Sequence, residues 1–470
     1  MVTDRPSPAG RPRHLSAVGT ACLAAVLALS TASCDRRAPT AGELRPSDPA
    51  STGTPLLSTL PSPVTEPSAS TLPSVPRASR VRRLTVAAAR PAAASALRGQ
   101  STIKVQGPNG TATGPEQLLD DGSYLAVRSE PPVTGPSGTL SLGRQELGTV
   151  RNGVWKALAR NGTENAGTMK GSARQIIGTA LTSKHLAWVE TPSTDLNYCE
   201  WSVRVRDTAT GTTRQISHSP VLQGGLRILR VFGETRPFIV GDHVHWAANT
   251  PLVSRPDPAE PSHWRYDLLQ ARTDGTGGTT VLARGAALPA VDAGSVYYAT
   301  TTTSPERAFR IHRHRLSDGR GSSDTVVASG RLHGEAALTN LSAGQGRLVW
   351  TVSSPDAGQE WDASRDTPGH LFVLNTATRD VLDVTTADLA LGNYSIAFGP
   401  GRVLWGNGSG NGDAGQYLLD LRTLRLHRLA RTPGFSTVLS APGSARIMWG
   451  TACPGQGTGQ ICWRSARWAG

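Results

Sequence analysis

Short apolar segments ending in an aromatic residue punctuate this chain: Leu186-Ala187-Trp188, Val244-His245-Trp246, Val296-Tyr297-Tyr298, Leu348-Val349-Trp350, Val403-Leu404-Trp405 and Ile447-Met448-Trp449. The aromatic positions recur every 44–58 residues, the signature of a repeated supersecondary unit. A fainter first copy, Tyr124-Leu125-Ala126-Val127, aligns with Val127 in the aromatic place. After each aromatic segment comes a long polar loop, then an alternating run, a tight Asp/Asn/Gly turn and a shorter apolar run. Trp201-Ser202-Val203-Arg204-Val205-Arg206, followed by Asp207-Thr208-Ala209-Thr210-Gly211 and Gln215-Ile216, is one such series. Leu371-Phe372-Val373-Leu374, Asn375-Thr376-Ala377-Thr378 and Val381-Leu382 form another. Period-two alternation on both sides of such turns predicts β-hairpins.

An upstream strand, for instance Tyr394-Ser395-Ile396-Ala397-Phe398, completes a unit of four antiparallel strands. Repeated units of that kind predict an all-β chain folded as a single β-propeller. Seven copies give seven blades, and six follow if Tyr124–Val127 is not a true copy. The aromatic strand is continuously apolar because neighbouring blades bury both of its sides. The last repeat ends without an outer strand, so Ser101–Val105 is placed there to close the ring. The blade pattern resembles that of TolB-type propellers, which run apolar-Trp, loop, apolar-x-apolar-Asp-x-x-Thr-Gly, outer strand. The resemblance covers about residues 110–470 and implies architecture rather than activity. The Ser-Pro-Asp-Gly turn usual in that family ahead of the aromatic strand is missing here.

The segment ahead of the repeats divides in two. Residues 1–33 carry a basic start and an apolar run, Leu15 to Leu29, of secretory rather than membrane-spanning length. The run ends in Ser30-Thr31-Ala32-Ser33-Cys34, which resembles a bacterial lipobox with Thr31 in a place usually held by an aliphatic residue. That resemblance implies lipidation of Cys34 and a position on the outer face of the cell membrane. Residues 34–100 are rich in Pro, Ser, Thr and Ala and read as a disordered tether to a 101–470 propeller domain. Within them, residues 80–100 could form a brief helix interrupted by Pro91.

Charge and composition narrow the functional classes. The net charge is +13, carried almost wholly by Arg, with only Lys104, Lys156, Lys170 and Lys184 as lysines. This usage, with 51 Gly and 33 Pro, looks like that of a high-GC, actinomycete-like bacterial protein. Over half of the charge lies in residues 1–100, and no basic stripe interleaved with aromatics marks the rest, which argues against nucleic acid. Arg77, Arg80, Arg82 and Arg83 form a cluster that reads as a solvated linker or as an attraction to anionic headgroups or wall polymers.

Of the five cysteines, Cys453 and Cys462 flank a Gly-rich loop and are placed in a hairpin disulfide, whereas Cys199 is a buried, inert thiol. No Cys/His spacing predicts a metal, and no cofactor motif occurs. His312 and His314 read as surface residues. Asn407–Asp413 has the outline of a calcium loop but lacks its closing Glu, and reads as a hairpin loop. Ser354-Pro355-Asp356-Ala357-Gly358-Gln359-Glu360-Trp361 is similar to the Asp box of sialidase-type propellers, with Glu360 in place of Thr. It occurs once and between the second and third strands, so it gives weak support to a glycosidase.

In a four-stranded antiparallel blade, the loop between strands two and three opens on the same face as the connection to the next blade. The long loops are all of that type, and they place Asp195, Arg255, Asp257, Glu306, Arg307, Asp356, Glu360, Trp361 and Asp413 on one candidate ligand face. The sequence therefore favours a monomeric, membrane-tethered, non-catalytic binding or scaffold module for an envelope protein or wall polymer. The alternative is an extracellular enzyme acting on a glycan or peptide at the propeller mouth.

Overall fold

A computed structural model describes residues 80–103, 112–130, 133–134, 140–141, 144–162, 174–191, 200–220, 236–257, 263–302, 308–316, 324–332, 336–353, 369–386, 395–407, 415–431, 437–453 and 461–469. The repeats form seven antiparallel blades, I to VII, arranged in chain order. In blades II to VI the strands run inside to outside in sequence order, with the aromatic segment as the second. Blade I adds a small hairpin, Val133–Thr134 with Leu140–Ser141, between its second and third strands. No helix among the described residues is long and apolar enough to cross a membrane.

The core is divided among the seven seams between blades, one apolar cluster to each. Alternation along the second strand explains this: odd and even positions face opposite neighbours. Trp246 faces Ala187 and Val189 of blade II, Trp350 faces Tyr297 and Ile311 of blade IV, and Trp405 faces Val349 and Val373 of blade V. Each aromatic residue thus reaches back towards the preceding blade. The same rule shifts the alignment of blade I by one residue. Tyr124 and Ala126 pack with Met448 of blade VII, whereas Val127 packs towards Leu186 and Trp188 of blade II. Ala126, not Val127, occupies the aromatic place, and the bulk is supplied two residues earlier by Tyr124.

The ring is closed by the N-terminal side of the chain. Strand β3 (Leu97–Ile103) pairs antiparallel with Ile461–Trp468 and forms the outer strand of blade VII, starting four residues before Ser101. Upstream lies a finding that departs from the expected helix-forming, unattached stretch at 80–100. Strand β1 (Arg80–Thr85) pairs in parallel with the outer strand of blade V, and β2 (Arg90–Pro91) does so with that of blade VI. Both blades become five-stranded sheets. Val86 and Ala89 enter the V/VI seam, and Ala92, Ala96 and Leu97 pack into the VI/VII seam. Two short 3-10 turns, one capped by the Thr85 hydroxyl accepting from Ala87 N, step the chain from blade to blade. The alanines therefore serve as small side chains that fit the narrow outer mouths of seams, and helix propensity yields to that packing.

Candidate functional site: the loop face and channel

Strand direction sorts the molecule into two unlike faces. One carries tight turns, such as Ala293-Gly294 and Gln345-Gly346, where consecutive positive φ angles give two-residue hairpins. The other receives every connection between second and third strands and every passage from blade to blade. Of the sequence-predicted ligand residues, Arg255 and Asp257 are described, and both are exposed on this loop face in blade III. Their loop is held by its own hydrogen bonds: Asp257 N donates to His263 Nδ1 at 2.9 Å, Trp264 Nε1 donates to Asp257 O at 2.9 Å, and Leu252 N donates to His263 O at 2.8 Å. Where it leaves the strand, Leu252 and Val253 are 47% and 42% exposed, an adjacent apolar pair beside Arg255. Asp195, Glu306, Arg307, Asp356, Glu360, Trp361 and Asp413, with Cys34 and Cys199, lie outside the described residues. Cys453 and Cys462 are joined by a disulfide across the base of the corresponding loop of blade VII, with Cα atoms 5.0 Å apart.

Buried carboxylates hold this face in place, and the sequence reading did not single them out. Glu190, at the loop-face end of blade II's aromatic strand, is fully buried. It accepts from Trp188 Nε1 at 2.8 Å, from Arg204 Nε at 3.0 Å and from Gly162 N at 3.0 Å, with Arg174 Nε 3.6 Å away. Gly162 and Arg174 belong to the passage from blade I to blade II, so one carboxylate fixes both ends of that passage. Asp267 acts in the same way in blade III. It accepts from Arg265, from Thr250 and from Gly285 N at 2.9 Å, at the passage to blade IV. Burial pushes the Asp267 carboxyl up, but those donors together hold it below the usual carboxylate range. Glu146 is likewise raised by burial and held low overall by the Arg160 and Arg128 guanidiniums. The sequence signal for these sites is an acid two residues from a Trp or an Arg on a strand, as in Trp188-Val189-Glu190 and Arg265-Tyr266-Asp267. It becomes specific only when cross-strand register is known.

The channel is walled by the first strands, several of which carry a β-bulge, at 115/117, 176/178, 287/290 and 338/340. The bulged residue of blade I is Glu116. Its carboxyl is raised by burial, with the charge of Arg236 opposing. Arg236 lies just ahead of the first strand of blade III, two blades away, and its Cα would lie 3.0 Å from a Cβ on Gly178 of the intervening strand. Glycine at 178 thus permits a close backbone approach. Beside Glu116, Gln117 bridges blades I and II by accepting from Leu181 N at 3.0 Å and donating to Leu181 O at 3.1 Å. At the tight-turn end, Gln345 Nε2 reaches from blade V to Pro442 O of blade VII at 3.1 Å.

The seam between blades III and IV holds several polar rings, and here the reading of His312 and His314 as surface residues is corrected: His314 is buried and His312 half-buried. His314 is buried, its Nδ1 2.8 Å from Asp324, which also accepts from Tyr298 OH at 2.7 Å. His312 stacks on Tyr298 with ring centroids 4.9 Å apart. Alternation faces both histidines into the seam because Tyr298 of their own blade lines it. Opposite stands His245, buried, with neither ring nitrogen hydrogen-bonded among the described residues. Burial, aided by the nearby His243 and His314, lowers its pKa to about 4. Among the described residues no group of three or more His, Cys, Asp or Glu side chains is arranged to hold a metal ion.

No protein-family model matches the sequence, and no curated protein does. Solved structures similar to it include puromycin hydrolase, at 16% identity and a TM-score of 0.44 over 74% of this chain and 51% of that one. Oligogalacturonate lyase in complex with manganese is similar at 11% identity and a TM-score of 0.43, over 81% of this chain and 98% of the other. TolB from Acinetobacter baumannii is similar at 11% identity and a TM-score of 0.32, over 72% and 63%. The chain spans about half the length of puromycin hydrolase.

Proposed function

We propose that this protein is an exported propeller, lipid-anchored at Cys34 to the outer face of the cell membrane, whose loop face binds an envelope protein or wall polymer without catalysis. The asymmetry of the ring carries this reading. One face is built largely of tight turns, while most of the longer connections open on the other, with Leu252, Val253, Arg255 and Asp257 exposed together in the loop of blade III. An exposed apolar pair followed by an arginine and an aspartate offers a partner both apolar and charged contacts. Buried carboxylates at the base of the face supply the rigidity that limits the ordering cost of binding.

The test is crosslinking and affinity capture from the native membrane with the wild-type chain, with Leu252→Ser/Val253→Ser and with Asp356→Ala/Trp361→Ala. Loss of the captured partner in either loop variant supports the loop face. An unchanged set of partners in both removes it. The second reading, an enzyme acting on a glycan or peptide at the channel mouth, is favoured by Glu116. A carboxyl raised by burial is suited to general-acid work. Turnover of a glycan or peptide panel that is abolished by Glu116→Gln would replace the binding reading with that one.

A further inference from the structure

The arginines of the N-terminal belt have a place in the fold that the loop-face reading does not use. Arg80 and Arg82 occupy alternate positions of β1, on the side that looks towards blade VI, as Leu84 shows by packing in the V/VI seam. Facing them are Arg347, at the start of blade V's aromatic strand, and Arg422, in the turn between the third and fourth strands of blade VI. Together they line a cleft of about 190 Å³ at the tight-turn rim, with Asp380 as its one carboxylate and Leu424 among its apolar lining. Four arginines and one carboxylate therefore line the same cleft. Arg80, Arg82 and Arg422 have no ion-pair partner among the described residues, while Arg83, on the other side of β1, lies 3.9 Å from Asp383. Arg347 is partly withdrawn from water, and it spends one donor on Gly346 O at 3.1 Å.

A cleft lined by four arginines and a single carboxylate carries an excess of positive charge that a bound anion would offset. Guanidinium forks match the oxygens of a tetrahedral oxyanion, and several together suit a group of high charge density better than a single carboxylate. The volume suits one headgroup-sized ligand, and the apolar lining would accept the carbon portion of an ester. We propose that the V/VI cleft is a binding site for a phosphate group, either free or carried as a phosphodiester by an anionic lipid headgroup. The chain upstream of Arg80, with its anchoring signal, enters the ring at this rim, which places the cleft at the root of the tether. The inference is independent of what the loop face binds.

The experiment uses the full-length chain with Cys34→Ser, so that no acyl group contributes, in four forms. These are the otherwise unchanged chain, Arg80→Gln/Arg82→Gln, Arg80→Lys/Arg82→Lys, and the charge-matched control Arg284→Gln/Arg315→Gln. Inorganic phosphate and pyrophosphate binding is read by calorimetry, and vesicle binding by co-sedimentation with phosphatidylcholine alone or mixed with phosphatidylglycerol. The Gln pair should weaken binding at least about tenfold, given the strength of charge-assisted hydrogen bonds. The Lys pair should recover only part of that, and the control should match the unchanged chain. Binding of phosphate without a vesicle response to phosphatidylglycerol identifies a free anion as the ligand; the converse identifies the headgroup. Absence of both, or equal losses in the Gln pair and the control, overturns the proposal. A fifth form, Arg422→Gln, on a separate element, must reproduce the loss if the cleft rather than β1 alone is the site. A coincident thermal transition in all forms shows that folding is unaffected.

Discussion

At the scale of single residues, the polar groups of this propeller divide by whether burial is compensated. Glu190 and Asp267 are buried and engaged by several donors each, which ties the loop passages to their blades. His245 is buried with no hydrogen-bond partner among the described residues, and its folded-state pKa of about 4 lies below the ordinary histidine value. The folded protein keeps this imidazole neutral while the unfolded chain protonates it near its ordinary pKa. Between that value and about 4 the unfolded state therefore binds an extra proton, and stability falls as pH falls through this window. At roughly 1.4 kcal/mol per pKa unit, the full effect is on the order of 3 kcal/mol. His312 and His427, both also lowered by burial, act in the same direction. His245→Leu should be more stable than wild type at pH 5 by an amount that shrinks towards pH 7.5. Urea unfolding at the two pH values checks this, and an equal difference at both would exclude His245 as the source. The two nitrogens that make the residue sensitive were not legible in the sequence. Val244-His245-Trp246 announces a buried strand, but only the facing blade decides whether a partner meets the ring.

At the scale of elements, the aromatic strand was legible because its physical cause is local. A strand buried on both sides is apolar at most positions, and that leaves a nearly continuous run whatever surrounds it. Blade I is the exception, since Ala126 stands where other blades carry an aromatic residue and Tyr124 fills the seam from two residues away. Packing conserves volume rather than position, so the alignment there slipped by one. The belt was illegible for the opposite reason. Residues 80–96 carry no periodic pattern of their own, and their burial comes from the outer mouths of seams built by residues some 300 positions later. The seams themselves offer a quantitative check. Trp350 is fully buried between blades IV and V and stacks on Phe372 with centroids 5.3 Å apart. Trp350→Ala should cost about 3–5 kcal/mol, the range for large aromatic truncations in a packed core. Equilibrium denaturation measures it, and a loss below about 1 kcal/mol would mean that the seam collapses around the missing ring.

At the scale of the whole molecule, a ring has no free end, and its stability depends on how the first and last blades are joined. Blade VII takes three strands from the C-terminal side and its fourth from β3, and Ala469 N donates to Ala96 O at 2.9 Å beyond the last pair. Loss of β3 would expose the edge of Ile461–Trp468 and uncover Trp463, whose seam with blade I is shared with Tyr124 and Met448. Because each blade is packed on both neighbours, damage at one seam passes to the next, and the response should be global. The belt strands β1 and β2 are different, since they add a fifth strand to sheets that are already complete. This separates two roles within one short stretch of chain. Replacing residues 97–103 by a Gly/Ser segment of equal length should lower the midpoint of a single cooperative transition by many degrees, whether followed by tryptophan fluorescence or by circular dichroism. Replacing residues 80–91 in the same way should lower it far less and leave the transition equally sharp. If the two replacements shift the midpoint equally, β3 closes nothing that β1 and β2 do not, and the ring is held by its seams alone.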